Sequence, residues 1–306
     1  MAKNTRDLKK LVADVQKLFG KDIKAKEMIS TGDTIKANFT AADCTPIAVG
    51  HPLQVLLSLP GIPFNKIIQV AGKPDCGKST WASEALVQAQ KAGVQGVLWD
   101  AEEKFDASRF TKMGGDPEAL LRIKTNEILK GAEMVRRIIV ALKDQDPTVK
   151  ILVVWDSVGA SQSRSHAERE LDNEKHAQPG QDAKENAQVM KMLVALINKF
   201  PDSIATYLVN QTYAKIGFMQ KGDAASGGTK IEYHSSMIIF LKRIKTLTKI
   251  VNKVETKIGI VTRATVTKNH LSQSDTSVHK LDFKITAAGS EVTELAEEDG
   301  EHAKDE

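Results

Sequence analysis

Residues 72–79, Gly-Lys-Pro-Asp-Cys-Gly-Lys-Ser, carry the groups that surround a phosphate. They fit the spacing G-x-x-x-x-G-K-[ST] between an apolar run, Ile67 to Ala71, and a helical pattern that starts at Ser79. Glycines let backbone N–H groups turn inward, and a helix N-terminus adds positive charge. A glycine turn between a strand and a helix is the simpler alternative. With both flanks present, we predict a nucleotide phosphate site formed by Gly72, Lys73, Pro74, Asp75, Cys76, Gly77, Lys78, Ser79 and Thr80.

A phosphate loop of this kind needs a magnesium site, and two residues are suited to form one. Ser79 would ligate Mg²⁺ directly, while Lys78 reaches the β and γ phosphate oxygens. Asp156 ends the apolar run Ile151 to Trp155 and would hold the ion through water. A carboxylate at the end of a strand is otherwise often a cap or a turn residue. The phosphate loop makes the metal role the preferred interpretation for Ser79 and Asp156.

Hydrolysis of a nucleotide also requires a group that orients or deprotonates the attacking water. Glu102 follows the second predicted strand in Trp99-Asp-Ala-Glu-Glu, and we predict it to be this base. Glu103 is the competing candidate, and a solvated carboxylate is the simpler alternative for either residue. Gln211 ends another apolar run, Ile204 to Val209, where an amide can sense the γ-phosphate.

These residues need a scaffold that delivers them to one edge, and the apolar periodicity indicates one. Short β-branched runs alternate with helical patterns from Lys66 onwards, which predicts an α/β fold with a mostly parallel central sheet flanked by helices. The predicted strands are 67–70, 94–99, 151–155, 204–209, 237–241 and 260–267. The predicted helices are 79–92, 106–113, 132–143 and 183–200.

Composition places the chain among ordinary globular proteins. It has 306 residues, 41% apolar and 27% charged, with no run long enough for a membrane helix and no signal-peptide pattern at its start. Two cysteines exclude a disulfide framework. Eight acids against one lysine give the segment from Glu291 to Glu306 a charge of −7, which leaves +11 elsewhere. A basic body is compatible with a polyanionic partner such as DNA.

The chain divides into three parts. Residues 8–19 have the spacing of an amphipathic helix, and Thr31 to Pro52 has no sustained period, so residues 1–52 are interpreted as an N-terminal helix and arm. Residues 53–290 form the predicted ATPase core. Residues 291–306 are interpreted as an acidic, disordered tail, which either competes with DNA for the basic body or only improves solubility.

The order of these motifs resembles that of RecA-type DNA strand-exchange recombinases. The most specific match is the segment from Leu208 to Met219, which contains Asn-Gln-x-x-x-Lys-Ile-Gly, followed by Gly227-Gly228 and a run that ends with Lys242-Arg243-Ile244. The similarity extends from about Val15 to about Phe283. It implies a RecA-like P-loop ATPase core, ATP and Mg²⁺ as cofactors, and a homo-oligomeric helical filament.

The resemblance also implies that two loops bind single-stranded DNA. They correspond here to residues 161–178 and 212–230, and the first is the poorer match because it contains four acids. Lysines, glycines and apolar side chains in the second loop suit phosphate contacts and base stacking. The DNA-binding residues implied are Arg164, Arg169, Tyr213, Lys215, Ile216, Gly217, Phe218, Met219, Lys221, Gly227, Gly228 and Lys230.

The sequence departs from the family pattern in two places. In the family two lysines reach the nucleotide of the neighbouring subunit; the chain has Lys268 and then His270, so Lys268 is the predicted trans residue. The separate domain with which bacterial members gather duplex DNA is expected to be missing after Ile285. The basic segment Lys242 to Lys257 would then contact duplex DNA, or it is simply a solvated hairpin or helix face.

Two N-terminal segments resemble subunit contacts of this family. The helix around Val15 to Phe19 resembles a segment that packs on the next subunit. Phe39-Thr-Ala-Ala42 matches a Phe-x-x-Ala plug, for which a local core contact is the alternative.

The sequence thus predicts an ATP-dependent, DNA-dependent ATPase that forms filaments on single-stranded DNA and promotes homologous pairing and strand exchange. A recombination accessory or mediator ATPase and a ring helicase motor are the alternatives. Partners would include duplex DNA and a loading protein, but no membrane. We expect a location in the bacterial cytoplasm or nucleoid, and the compact size is compatible with a phage-encoded protein.

Overall fold

A computed structural model describes Lys17 and residues 39–166, 180–214, 223–251, 254–271 and 278–293. The chain forms two compact units, Met1–Phe39 and Thr40–Glu306. Lys17 is helical and is the one described residue of the predicted N-terminal helix; the rest of that helix lies outside the described residues. The elements below all belong to the second unit.

Helices and strands alternate along most of this unit. The helices are α1 (Pro52–Leu57), α2 (Lys78–Lys91), α3 (Ala107–Lys112), α4 (Ile128–Gln145), α5 (Gln181–Lys199) and α6 (Thr229–His234). The strands are β1 (Cys44–Pro46), β2 (Gly61–Pro63), β3 (Ile67–Gly72), β4 (Gln95–Asp100), β5 (Leu121–Lys124), β6 (Ile151–Asp156), β7 (Ile204–Ala214), β8 (Asp223–Ala225), β9 (Met237–Val251), β10 (Val254–Asn269), β11 (Lys280–Thr286) and β12 (Gly289–Val292). The predicted α/β class is confirmed.

A large sheet forms the centre of the unit. Nine strands lie in the order β12-β11-β10-β9-β3-β7-β6-β4-β5, and β8 pairs with β7 outside this path. The six strands from β9 to β5 are parallel, whereas β10, β11 and β12 add to β9 as antiparallel neighbours. Asp100 and Asp156 are direct partners in the register, and Gly72 pairs with Gln211. The parallel strands therefore bring these predicted site residues to one edge.

Two apolar clusters cover the two faces of this sheet. Strand β6 shows how one sequence serves both, because Leu152 and Val154 belong to one cluster and Ile151, Val153 and Trp155 to the other. The first cluster includes residues of α1 and α2, and the second includes residues of α4 and α5. Burial on both faces explains why the strands appear in the sequence as continuous apolar runs.

The structure differs from the sequence prediction at the edges of the core. Residues 44–46, assigned to the arm, form β1, which pairs with β2 and buries Cys44 and Thr45. Such three-residue strands are too short to show a period. At the other end, β12 includes Glu291 and Val292, which were assigned to the tail; residues 294–306 lie outside the described residues.

The Phe-x-x-Ala segment has a clear local structure from Thr40 onwards. Residues 41–43 form a short 3₁₀ helix, in which Ala41 and Ala42 are exposed. Ala42 therefore lies outside the core, whereas Phe39 is half-buried, so the local core contact of this segment stays an alternative. The polymerisation role of this segment stays a prediction.

Candidate active site

The phosphate loop joins β3 to α2, as predicted. Gly77 has a φ of 99°, and a Cβ placed on it would lie 2.1 Å from Cδ1 of Ile285. Gly72 is equally restricted, because its Cβ would lie 2.4 Å from the carbonyl oxygen of Leu241. Gly77 is thus required by its backbone conformation and by close packing, and Gly72 by close packing.

Lys78 begins α2 and is largely buried, with 8% of its surface exposed. Its Nζ donates a hydrogen bond to the backbone carbonyl of Lys73, 2.8 Å away. The ammonium group thus lies inside the loop of residues 72–80, at the N-terminus of a fourteen-residue helix. A phosphate placed here would meet a lysine and the positive end of a helix dipole.

Cys76 and Thr80 help to shape this loop. The Cys76 carbonyl accepts a hydrogen bond from the Thr262 hydroxyl, and burial raises the pKa of the Cys76 thiol. The hydroxyl of Thr80 accepts a hydrogen bond of 2.8 Å from the Arg109 guanidinium of α3. The loop is therefore connected to both β10 and α3.

The two predicted magnesium ligands are in contact. The Ser79 hydroxyl makes a hydrogen bond to the Asp156 carboxylate. Burial raises the pKa of Asp156 to about 6, and the nearby charges of Glu102 and Asp100 act in the same direction, while Ser79 and Lys78 oppose it. A carboxylate with an elevated pKa beside a hydroxyl fits a divalent cation, because the ion would stabilise its charged form.

No cluster of three or more His, Cys, Asp or Glu ligands occurs within the described ranges. Magnesium usually retains water and substrate phosphates as ligands, so one hydroxyl and one carboxylate are a sufficient protein contribution. When bound, the ion would neutralise charge on the phosphates. Ser79 and Asp156 are the residues that would hold it.

Glu102 lies at the centre of a hydrogen-bond network. Its Oε1 accepts hydrogen bonds from the Ser157 hydroxyl (2.7 Å) and from Nε2 of Gln211 (2.9 Å). Its Oε2 accepts one from Nζ of Lys104 (2.6 Å). Burial raises the pKa of Glu102, but these three hydrogen bonds outweigh it, and the pKa lies below its ordinary value. Two predicted residues, Glu102 and Gln211, are thus in direct contact.

Glu103 has a different environment from Glu102. It is exposed and has a left-handed backbone conformation with a φ of 53°. The neighbouring Glu102, in contrast, contacts Ser157 and Gln211. The geometry favours Glu102 as the residue that faces the phosphate site.

The turn that carries Glu102 is fixed by a buried ion pair that the sequence analysis did not identify. Asp100, 4% exposed, accepts hydrogen bonds from the backbone N–H groups of Lys104 and Phe105. It also receives two from the Arg122 guanidinium, at 2.9 and 2.5 Å. The guanidinium lies 5.5 Å from the centre of the Phe105 ring. Asp100 ends its strand as Asp156 does, so the same reasoning could have found it; Arg122 carried no sequence signal.

A cavity of about 460 Å³ adjoins the phosphate loop. One wall contains Thr80, Arg109 and Lys112, and the other is formed by residues 257–260 of β10 and residues 285–289 around the β11–β12 turn. The volume is within the range of small-molecule sites. The cavity therefore offers space for the nucleoside of a bound nucleotide.

The second predicted DNA loop starts and ends in defined structure. Strand β7 continues beyond Gln211 to Ala214 and pairs with β8, so the base of the loop is a hairpin. The Asn210 side chain donates to the Ser226 carbonyl (2.7 Å), and Ser226 N–H donates to the Gln211 carbonyl (2.9 Å). These bonds connect the Glu102 network directly to this loop.

Some of the residues predicted to bind DNA can be placed. The backbone of Tyr213 is in β7, and Gly227 and Gly228 have positive φ. Lys230 is the second residue of α6, and its Nζ lies 5.7 Å from the centre of the Tyr233 ring. Arg164 is exposed near the start of the first loop. The others lie outside the described residues, namely Arg169, Lys215, Ile216, Gly217, Phe218, Met219 and Lys221.

Lys268 belongs to β10, and its side chain reaches the C-terminal end of α6. Its Nζ donates to the carbonyls of Glu232 (2.8 Å) and Tyr233 (3.1 Å). The lysine thus caps a helix in its own subunit, and its role in a neighbouring site stays a prediction.

The fold and site define a class: a P-loop α/β protein with an aspartate at the end of β6 beside the phosphate loop and a glutamate that contacts a glutamine of β7. Within this class, the chain belongs to the RecA family, because the RecA N-terminal domain profile matches residues 6–287. The predicted resemblance is confirmed.

Several bacterial proteins named Protein RecA are similar to this chain. That of Corynebacterium efficiens is 32% identical over 225 residues, covering 72% of this chain and 53% of the relative. Those of Pseudarthrobacter chlorophenolicus and Mycobacteroides abscessus are 27% and 28% identical over 87% and 85% of this chain, and 69% of each relative is covered. The chain thus spans 53% to 69% of the length of these relatives. Within the described ranges, no helix is both long and apolar enough to cross a membrane.

Proposed function

We propose that the chain is an ATP-dependent recombinase that polymerises on single-stranded DNA and promotes homologous pairing and strand exchange. The observation that carries this proposal is the contact of Gln211 with Glu102. The backbone of Gln211 belongs to β7, which leads into the second predicted DNA loop. Its side-chain amide contacts the candidate base, Glu102. DNA binding and ATP hydrolysis would therefore be coupled through one side chain.

The residues of the site divide the reaction between them. The loop 72–80 binds the triphosphate, with Lys78 on the β and γ oxygens and the helix N-terminus behind it. Ser79 and Asp156 would hold magnesium, which would neutralise charge on the phosphates. Glu102 orients the attacking water and accepts its proton, and the Ser157 hydroxyl keeps the carboxylate in place. Lys268 acts on the nucleotide of a neighbouring subunit in the filament.

Duplex DNA would contact the β9–β10 hairpin. The structure shows an extended ribbon here, in which Lys242, Arg243, Lys245, Lys249 and Lys257 are exposed. A two-stranded ribbon fits a DNA groove, and its lysines are placed for phosphates. The base of the hairpin also lies near the phosphate loop, because a guanidinium nitrogen of Arg243 is 4.0 Å from a carboxylate oxygen of Asp75.

The central test is ATP turnover at several protein concentrations with and without single-stranded DNA, combined with electron microscopy. A recombinase shows DNA-stimulated turnover, helical filaments with a slowly hydrolysed ATP analogue, and joint molecules with homologous duplex. Closed rings would instead support a helicase motor. DNA and ATP binding without filaments or joint molecules would support an accessory or mediator protein. His270, in place of the second lysine of the family pattern, is the sequence feature that favours this alternative. DNA-independent turnover by monomers would contradict the coupling.

A further inference from the structure

Lys104 is a cation in the active site that the proposed reaction has not used. Its ammonium group lies 2.6 Å from Oε2 of Glu102, yet 79% of its side chain is exposed. We propose that Lys104 is a catalytic residue that moves from Glu102 to the γ-phosphate when ATP binds, and so releases the base and stabilises the transferred group. This inference rests on the proposed ATPase function.

Both carboxylate oxygens of Glu102 accept hydrogen bonds in this structure, three in total. A carboxylate that already accepts three hydrogen bonds is a poor acceptor for the proton of a water molecule. Exchange of one of these hydrogen bonds would make Glu102 a better acceptor for that proton. Lys104 occupies Oε2 alone, whereas Ser157 and Gln211 share Oε1.

The three donors differ in their freedom to leave. Ser157 is 1% exposed, and Gln211 is half-buried within β7. Lys104 extends into solvent on a flexible four-carbon stem, while its backbone N–H is fixed to Asp100 at 3.1 Å. A fixed backbone with a mobile ammonium is what a side chain needs to change partners without moving the turn.

Lys104 lines the same cavity as residues of the predicted phosphate site, so its side chain could reach a bound triphosphate. A second cavity, of about 110 Å³, is lined by Ser79, Glu102, Lys104 and Asp156 among others. Ser79 and Asp156 mark the magnesium end of the phosphate loop, where the γ-phosphate would lie. The hydrogen bond to Glu102, and then the charges of Glu102, Asp156 and Asp100, raise the pKa of Lys104, so it enters the reaction as a cation.

The reaction then proceeds with a defined proton path. The oxygen of water bonds to the γ-phosphorus, the bond from that phosphorus to the ADP oxygen breaks, and the proton of the water passes to Oε2 of Glu102. Lys104 neutralises charge on the γ-phosphate oxygens in the transition state. When phosphate leaves, Glu102 loses its proton to solvent and Lys104 returns to it.

The test compares Lys104→Met, which retains the stem without the charge, with Lys104→Arg and with Lys91→Met. Lys91 is an exposed lysine at the far end of α2 from the phosphate loop. We expect Lys104→Met to lower DNA-stimulated kcat by about 100-fold, the lower end of the range for loss of one transition-state donor. Binding of a slowly hydrolysed ATP analogue should weaken about 5- to 10-fold while ADP binding is unchanged, because ADP lacks the γ-phosphate. Lys104→Arg should recover most of this preference for the triphosphate.

Three results would overturn the inference. An unchanged kcat for Lys104→Met would mean that the contact between Lys104 and Glu102 is only a surface ion pair. A higher kcat shows that Lys104 only occupies the base. Equal weakening of ADP and analogue binding shows that the turn has been disturbed. The proposed function fails separately, if the wild-type protein itself does not hydrolyse ATP.

Discussion

The edge of the parallel strands and the outer half of the β9–β10 hairpin belong to the same sheet but are built differently. At the edge, Asp100 and Glu102 receive four and three hydrogen bonds, and each of these comes from a neighbouring element or turn. In the hairpin, the side chains from Lys242 to Ile250 are exposed except for the half-buried Leu247. The ribbon is held by its backbone ladder instead.

This difference determines what a substitution reports. A change at the edge removes a chemical group and also leaves a partner unsatisfied, so its effects are large. A change in the hairpin removes charge with little effect on the fold. The two regions therefore test different steps, nucleotide chemistry at the edge and contact with polyanions in the hairpin.

The largest effect is expected for Lys78→Met at the edge. The variant loses the ammonium group that donates to the Lys73 carbonyl inside the phosphate loop, and we expect ATP affinity to fall by about 100-fold or more. Equilibrium binding of a fluorescent ATP analogue measures this. Near-normal affinity would mean that the loop does not bind the triphosphate.

Glu102→Gln should follow, with kcat lower by about 100-fold and ATP binding preserved, because the amide cannot accept a proton. The matched control is Glu103→Gln, one residue away in an exposed position. Steady-state turnover with single-stranded DNA compares the two. If Glu103→Gln is inactive while Glu102→Gln is normal, the base is Glu103.

Gln211→Ala should have a smaller effect that is specific to coupling. The substitution removes the amide that joins Glu102 to the DNA loop, so we expect DNA stimulation to fall by about 10-fold while turnover without DNA changes little. Gln188→Ala on the exposed side of α5 is the control. Full stimulation of the Gln211 variant would place the coupling elsewhere.

The sequence predicted the edge better than it predicted the supports behind it. Gly72 and Lys78 were found from the spacing of the phosphate-loop motif. Asp156 and Gln211 were found because each follows an apolar run, and parallel strands bring such positions together. Lys104 and Arg122 were not found, since their roles depend on turn geometry and on a neighbouring strand of only four residues. Short-range patterns do not encode such contacts.

The hairpin shows a second limit of sequence patterns. Strands β9 and β10 were predicted only as 237–241 and 260–267, where one face is buried, whereas they extend to Val251 and from Val254. The outer residues lack alternation because both faces are exposed, and the segment therefore resembles a loop. Its strand structure comes from pairing between β9 and β10, which continues from the pair Lys245 and Val261 to the pair Val251 and Val254.

The smallest expected effect belongs to Lys249→Ala in this hairpin. Lys245 and Lys249 are four residues apart on one strand, so their side chains share a face and are separated by about 13 Å. Each would therefore contact a different phosphate. We expect either alanine variant to weaken duplex binding by only about 2- to 5-fold near 0.1 M salt, and to lower the slope of log affinity against log salt by about 0.9. The melting temperature should not change, because Lys249 is exposed.

The control for this experiment is Thr248→Ala, a neutral change at the adjacent exposed position. Duplex binding by fluorescence anisotropy at three salt concentrations separates the two interpretations of the hairpin. A reduced slope for Lys249→Ala but not for Thr248→Ala means that the lysine displaces counterions from DNA. Identical slopes for the wild type and both variants mean that the hairpin is a solvated ribbon. Duplex capture would then depend on another surface. The hairpin and the edge of the parallel strands would still differ in structure, but the hairpin would have no role in DNA binding.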